Sequence, residues 1–174
     1  MDVKDAEVCL KQIIGGDVSG MQNLHTAYFS AVFALALTVV RDYQKAEDVT
    51  QDVFIKIWLH ADTYRFGNNP KTWIMGITRN AAIDALKQNA GDLPIEDDVS
   101  DNSDLEDNIL NKVFLEQIMD RLEPVDREIF VLHNLCDMTF SQIGKILKLP
   151  LSTVAWKHAA AVKKMRVWIR SEQG

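Results

Sequence analysis

The 174-residue chain is poor in the residues that punctuate β-structure, with 8 glycines and 4 prolines, and no alternating apolar-polar runs bounded by turn clusters stand out. Long stretches at helical period cover most of the sequence, so the expected fold class is all-α. Cysteine is scarcer still. Cys9 and Cys136 lie far apart, with no second cysteine or histidine at ligand spacing, which argues against a disulfide framework and a zinc site. Both read as reduced core residues, with a redox-sensing thiol as the alternative. The four histidines, His25, His60, His133 and His158, show no metal spacing, and no nucleophile or glycine-rich phosphate motif stands out. A helical enzyme is therefore the weakest reading, and no metal or cofactor is expected.

Long apolar runs are also missing. The longest, Ala31 to Val40, is half of the roughly 20 residues that a membrane-spanning helix needs, and reads as a buried core helix with no stable membrane insertion. Met1 to Gly16 mixes Asp2, Lys4, Asp5 and Glu7 with apolar residues, the wrong order for a secretory signal, so a cytoplasmic location is expected.

The net charge of −6 argues at first against nucleic acid, because a polyanion repels an acidic protein. Its distribution reverses the inference. Residues 139–170 carry seven cations, Lys145, Lys148, Lys157, Lys163, Lys164, Arg166 and Arg170, and no acid, which leaves −13 on the remainder. The opposite bias marks Gly91 to Asn108, where eight acidic residues and Pro94 occur without one basic residue. Such a segment cannot offset its ordering entropy by burial, and self-repulsion extends it. It reads as an acidic flexible linker between two helical domains. Helices are expected near 3–14, 19–40, 43–60 and 70–88 before it, and near 105–121, 125–136, 139–148 and 152–170 after it.

The segment Thr139-Phe-Ser-Gln-Ile-Gly-Lys-Ile-Leu-Lys-Leu-Pro-Leu-Ser-Thr-Val154 contains two helix starts around a short turn. Thr139 with Gln142 fits a capping box, Ser152 is a good N-cap, and Leu149-Pro150-Leu151 ends the first helix. Ile143, Ile146 and Leu147 can pack inward with Val154 and Phe140, while Gly144 permits a close approach. This is helix-turn-helix grammar, in which the second helix enters the major groove. Ser152 and Thr153 sit where a helix amino terminus meets the DNA backbone, and Lys157, Lys163, Lys164, Arg166 and Arg170 could neutralise phosphates. A helical hairpin with a solvated basic face is the competing reading.

In Ala46-Glu-Asp-Val-Thr-Gln-Asp-Val-Phe-Ile-Lys-Ile-Trp58, the apolar set Val49, Val53, Phe54, Ile57 and Trp58 should face the core. Asp48, Gln51 and Asp52 share the opposite face. That acidic patch is either a solvated surface or a protein-docking site. Further on, Tyr64, Arg65, Phe66, Asn68, Asn69 and Lys71 combine rings, amides and cations in one loop, followed by a helix bearing Trp73, Arg79, Asn80 and Asp84. Such a mixture suits an unstacked strand, whose bases stack on rings while amides read their edges. For Trp73 a core position is the preferred reading over base contact, and for Arg79, Asn80 and Asp84 a surface polar row fits equally well.

Three stretches together resemble one family: Ala46-Glu-Asp-Val-Thr-Gln-Asp-Val-Phe54, Thr72-Trp-Ile-Met-Gly-Ile-Thr-Arg-Asn-Ala-Ala-Ile-Asp84, and Pro124-Val-Asp-Arg-Glu-Ile-Phe-Val-Leu132 leading into the helix-turn-helix. In that order and spacing they resemble the extracytoplasmic-function (ECF, group 4) sigma factors of the sigma-70 family. The resemblance implies sigma region 2 over residues 1–90, an acidic linker over 91–110 and sigma region 4 over 111–174. Asp48, Gln51 and Asp52 would then bind the clamp helices of the beta-prime subunit of core RNA polymerase. The loop from Tyr64 to Lys71, with Arg79 and Asn80, would recognise and help melt the minus-10 promoter element and capture a flipped base. Region 4 would bind the minus-35 element and the beta flap, the linker would thread the active-site channel, and an anti-sigma factor would cover the polymerase-binding faces.

One departure from the family concerns the reading helix, Val154-Ala-Trp-Lys-His-Ala-Ala-Ala161, where Ala155 and Ala160 stand in place of cations. Trp156, Lys157 and His158 are left for base or sugar contacts. The competing function is a stand-alone DNA-binding regulator whose amino-terminal domain dimerises or senses a ligand.

Overall fold

The computed structural model describes residues 1–89 and 120–172. These residues form seven α-helices, one 3₁₀ turn and no strand. In chain order the helices are α1 (Val3–Ile14), α2 (Val18–Val40), α3 (Tyr43–His60), α4 (Pro70–Asn89), α5 (Pro124–Asn134), α6 (Phe140–Leu147) and α7 (Leu151–Glu172), with the 3₁₀ turn Ala61–Thr63 after α3. The expected boundaries hold to within two residues. The acidic stretch, and all but the end of the helix expected over 105–121, lie outside the described residues.

Local chemistry sets the helix starts. Asp2, Asp17 and Asp42 accept from the backbone N–H groups of Asp5, Ser19 and Lys45 at 2.8, 2.9 and 2.8 Å, filling donors that a helix leaves open at its amino end. The Asp42 carboxyl is held below the usual carboxylate range, chiefly by the Lys45 amide. Thr139 and Gln142 form the reciprocal capping box at α6. Ser152 does not cap α7. Lys148 takes a left-handed conformation (φ 56°) that ends α6, and α7 begins at Leu151, placing Ser152 inside its first turn.

The apolar helix α2 passes the length and composition test for a membrane span. Here it is the central post of a bundle, burying Leu24, Tyr28, Val32, Leu35, Ala36 and Val40 against α1, α3, α4 and α5. Val49, Val53, Phe54 and Ile57 of α3 are buried as expected, whereas Trp58 is 38% exposed, at the edge of the apolar stripe. Gly20 marks where α2 crosses α1: a Cβ there would stand 2.5 Å from the Cys9 carbonyl oxygen. The two cysteines are free and buried, and burial raises both thiol pKa values, Cys136 to about 11 against the opposing pull of Lys71.

The second bundle, α5 to α7, does not stand apart. α5 lies against α2 and α6 against α4, and one continuous set of buried side chains runs from Ala6 through Val32 and Met75 to Ile129, Cys136 and Val154. The Cys136 thiol rests 3.8 Å from the Ala31 carbonyl, and Arg41 pairs with Asp120. Within the second bundle His158 faces inward, with ring centroids 4.6 Å from His133 and 5.2 Å from Phe140, and its Nε2 accepts from Asn134 Nδ2 at 3.1 Å. Burial, then His133, lowers its pKa.

Two outcomes follow from this packing. Gly20→Ala should cost about 1–3 kcal/mol, because backbone must move to admit the methyl group, whereas Gly76→Ala in α4, where a Cβ meets nothing within 4 Å, should stabilise by about 0.5–1 kcal/mol; equal urea midpoints for the two variants would contradict the crossing. Because His158 holds a proton less readily when folded than when unfolded, its contribution is fully present above the unfolded value of about 6.5 and is lost as pH falls below it. His158→Phe should flatten the decline in melting temperature between pH 7.5 and 6, and a slope identical to the parent would show that the imidazole is not shielded.

Candidate nucleic-acid and protein interfaces

The first candidate surface is on α3. Asp42 starts the helix, and the buried stripe Val49, Val53 and Ile57 fixes its rotation, which turns Asp48, Gln51 and Asp52 to solvent. Ile55 continues the same side of the helix, 56% exposed. The surface is thus a short acidic row with an apolar neighbour.

The second surface is the loop between the 3₁₀ turn and α4. Tyr64 does not present its ring outward: it is 4% exposed, stands edge-on to Trp73 and Phe66 at 5.5 and 5.2 Å, and places its hydroxyl 2.6 Å from the Asn68 carbonyl. Glu7 of α1 supports the loop from below, accepting from the Gly67 N–H at 2.6 Å, and burial with Glu7 raises the Tyr64 pKa. Gly67 adopts φ 89°, the left-handed region that glycine enters without steric penalty. Asn69 caps the start of α4 through Thr72 N–H at 3.1 Å, and Asn68 Nδ2 donates to the Arg65 carbonyl. What remains outward are Arg65, Phe66 and Asn68, with Lys11 Nζ 5.2 Å from the centre of the Phe66 ring. Lys71 and Trp73 are half-buried. Trp73 packs on the core, in keeping with the core reading.

Two turns along α4, Asn80 and Asp84 are exposed, whereas Arg79 is tied up. Its Nε lies 2.5 Å from Glu128 Oε2 of α5, with side-chain exposures of 23% and 9%. Arg79 and Asn80 are therefore presented differently, although adjacent in sequence.

The third surface is α7. Gly144 lets the turn fold tightly back on α6, since a Cβ there would stand 2.7 Å from the Leu149 carbonyl oxygen. Ser152, Trp156, Ala159 and Lys163 form one exposed stripe at intervals of three and four residues, continued by Arg166 and Arg170. Trp156 is 68% exposed, an unusual setting for so large an apolar side chain. Thr153 is half-buried beside Ser152, and Lys164 is exposed beside Lys163. Lys157 and His158 turn the other way: Lys157 Nζ binds Asp126 Oδ1 at 2.8 Å, and His158 lies in the ring cluster of α5 and α6. The outward-facing set on the expected reading helix is thus Ser152, Trp156, Lys163 and Lys164.

Sequence reasoning missed four residues. Glu7 and Lys11 act on the loop from nearly 60 positions away, with no local signal. Asp126 and Glu128 belong to a stretch quoted above for its resemblance, but their partners, Lys157 and Arg79, appear only in the fold. Among the described residues no group of three His, Cys, Asp or Glu side chains could hold a metal ion.

Comparison with known proteins places the chain in a family. Residues 24–91 match the sigma-70 region 2 family and residues 115–165 the sigma-70 region 4 family. The ECF RNA polymerase sigma factor SigW of Bacillus subtilis (strain 168) is 22% identical over 161 residues, spanning 83% of this chain and 86% of its own. The ECF RNA polymerase sigma factor SigK of Mycobacterium sp. (strain KMS) is 23% identical over 176 residues, spanning 93% and 89%. Among solved structures, CnrH in complex with the cytosolic domain of CnrY superposes with a TM-score of 0.75 at 17% identity, covering 96% of this chain and 98% of that one. The sigma factor RpoE, in complex with the anti-sigma factor NepR from Bartonella quintana, gives 0.68 at 19% identity, covering 86% and 96%. With both sigma-70 modules in order, the first running from within α2 to the end of α4 and the second from α5 into α7, this chain belongs to the extracytoplasmic-function sigma factors, which direct RNA polymerase to promoters.

Proposed function

We propose that the three surfaces divide the work of initiation among them. Residues 1–90 form the module that docks on core polymerase and reads the minus-10 element, residues 111–174 read the minus-35 element, and residues 91–110 join them. The exposed row of Asp48, Gln51 and Asp52 binds the beta-prime clamp helices, with Ile55 adding apolar contact. Arg65, Phe66, Asn68 and Asn80, with Asn69, Lys71 and Arg79 behind them, hold the melted minus-10 strand. Tyr64 acts through the loop it braces, not by touching a base. On α7, Ser152 and Thr153 meet backbone phosphate at the helix amino terminus, Trp156 packs on sugar or a thymine methyl, and Lys163 and Lys164 neutralise phosphates. Lys157 and His158 support that helix from its inner side.

The observation that carries this reading is the segregation of exposed charge. α3 offers acid where a protein partner would dock, and α7 offers cations and one exposed indole ring where duplex DNA would lie. A stand-alone regulator would have no use for the acidic face. The protein breaks no bond: trapping an unpaired base costs a few kcal/mol of unstacking, which pocket contacts and phosphate neutralisation offset. The chain works where polymerase works, in the cytoplasm, and the faces that bind polymerase and DNA suit an anti-sigma factor that competes for them.

Asp48→Lys/Asp52→Lys should weaken binding to core polymerase by about tenfold or more, since it reverses two charges at a complementary contact, with helicity unchanged. Undiminished binding would move the docking face elsewhere. Asn80→Ala should slow promoter opening while leaving core binding intact, and normal permanganate reactivity of the minus-10 thymines would remove Asn80 from the strand-holding site.

A further inference from the structure

Glu7 and Lys11 stand one turn apart on α1, and both reach the loop that carries Arg65 and Phe66. The match to region 2 covers residues 24–91, so α1 lies outside it. Lys11 is exposed, its Nζ lies 5.2 Å from the centre of the Phe66 ring, and among the described residues no carboxylate pairs with it. Phe66 itself is 43% exposed. A ring open to solvent with an ammonium at that distance offers what one nucleotide needs, a plane for the base and a cation for its phosphate. The pull of an exposed ammonium toward a ring is weak, so a phosphate can share that ammonium or take it over.

Glu7 is a carboxylate beside a surface assigned to a polyanion, which is adverse unless the side chain has another task there. Its Oε1 accepts from the Gly67 N–H at 2.6 Å and stands 3.1 Å from the Tyr64 hydroxyl. These two contacts bracket Arg65 and Phe66 in the chain, next to the left-handed turn at Gly67 (φ 89°). We infer, on the reading of this loop as a minus-10 contact, that α1 belongs to the strand-holding surface: Lys11 neutralises the phosphate of the nucleotide whose base lies on Phe66, and Glu7 is a positioning residue that keeps Arg65 and Phe66 presented. Charge and position make opposite demands at Glu7. Removing a negative charge near DNA tightens binding, whereas removing the brace loosens it. Glutamine keeps a carbonyl acceptor for the Gly67 N–H and loses only the charge.

The test uses the full-length chain bound to core polymerase and, as probe, a fluorescent single strand spanning the minus-10 element of a promoter that this complex transcribes. Lys11→Gln should bind the strand about fivefold more weakly than wild type at about 0.1 M salt, with a dependence on log salt shallower by about 0.7, the value for one single-strand phosphate contact. Lys45→Gln, which removes the same charge from an exposed position at the start of α3, should leave both unchanged. Glu7→Ala should weaken binding and Glu7→Gln should equal or exceed wild type, with helicity and core binding unchanged in both. An affinity and salt slope for Lys11→Gln that match Lys45→Gln overturn the phosphate contact. Glu7→Ala binding as tightly as Glu7→Gln overturns the positioning role. Phe66→Ala judges the reading of the loop: lost binding there beside an unaffected Lys11→Gln refutes the part given to α1 alone, whereas wild-type binding by Phe66→Ala refutes the loop as a strand contact and the role of α1 with it.

Discussion

The structure turns on α5, a helix of eleven residues that must serve two bundles at once. Its apolar side, Ile129 and Leu132, belongs to the core shared with α2, and its charged run holds Lys157 on one side and Arg79 on the other. An apolar contact alone would weld the bundles together, because burial is non-directional and costly to reverse. Ion pairs behave differently: their value depends on geometry and on the exclusion of water. The combination gives an interface with a defined register.

This division explains why residues that look equivalent in the sequence have different environments. Arg79 and Asn80 are neighbours, yet one faces Glu128 and the other faces solvent. Trp156, Lys157 and His158 are consecutive, yet only Trp156 is fully presented. On a helix, consecutive residues point about 100° apart, so a linear motif that is active as a unit in sequence is divided in space between contact and support.

The sequence made the architecture legible wherever the signals were local. Helical period and the Thr139–Gln142 capping box placed seven helices to within two residues. The acidic face of α3 was legible because the buried stripe that defines it lies on the same helix. What was not legible depended on distant partners or on small backbone choices. Tyr64 is drawn inward by packing and by Glu7, 57 residues away. His158 and Lys157 are turned inward by rings and a carboxylate on α5. Ser152 lost its expected cap role because Lys148, in a left-handed conformation, ended α6 early enough for α7 to begin one residue sooner. No periodicity reports on contacts of that range.

The central claim is that the acidic row on α3 is the face the chain presents to core polymerase. It is tested most directly by placing a photoreactive side chain at Gln51, which is exposed, and mapping its adducts in a transcriptionally active complex. The account predicts adducts on the clamp helices of the beta-prime subunit. Adducts confined to promoter DNA, or to another subunit, would contradict it.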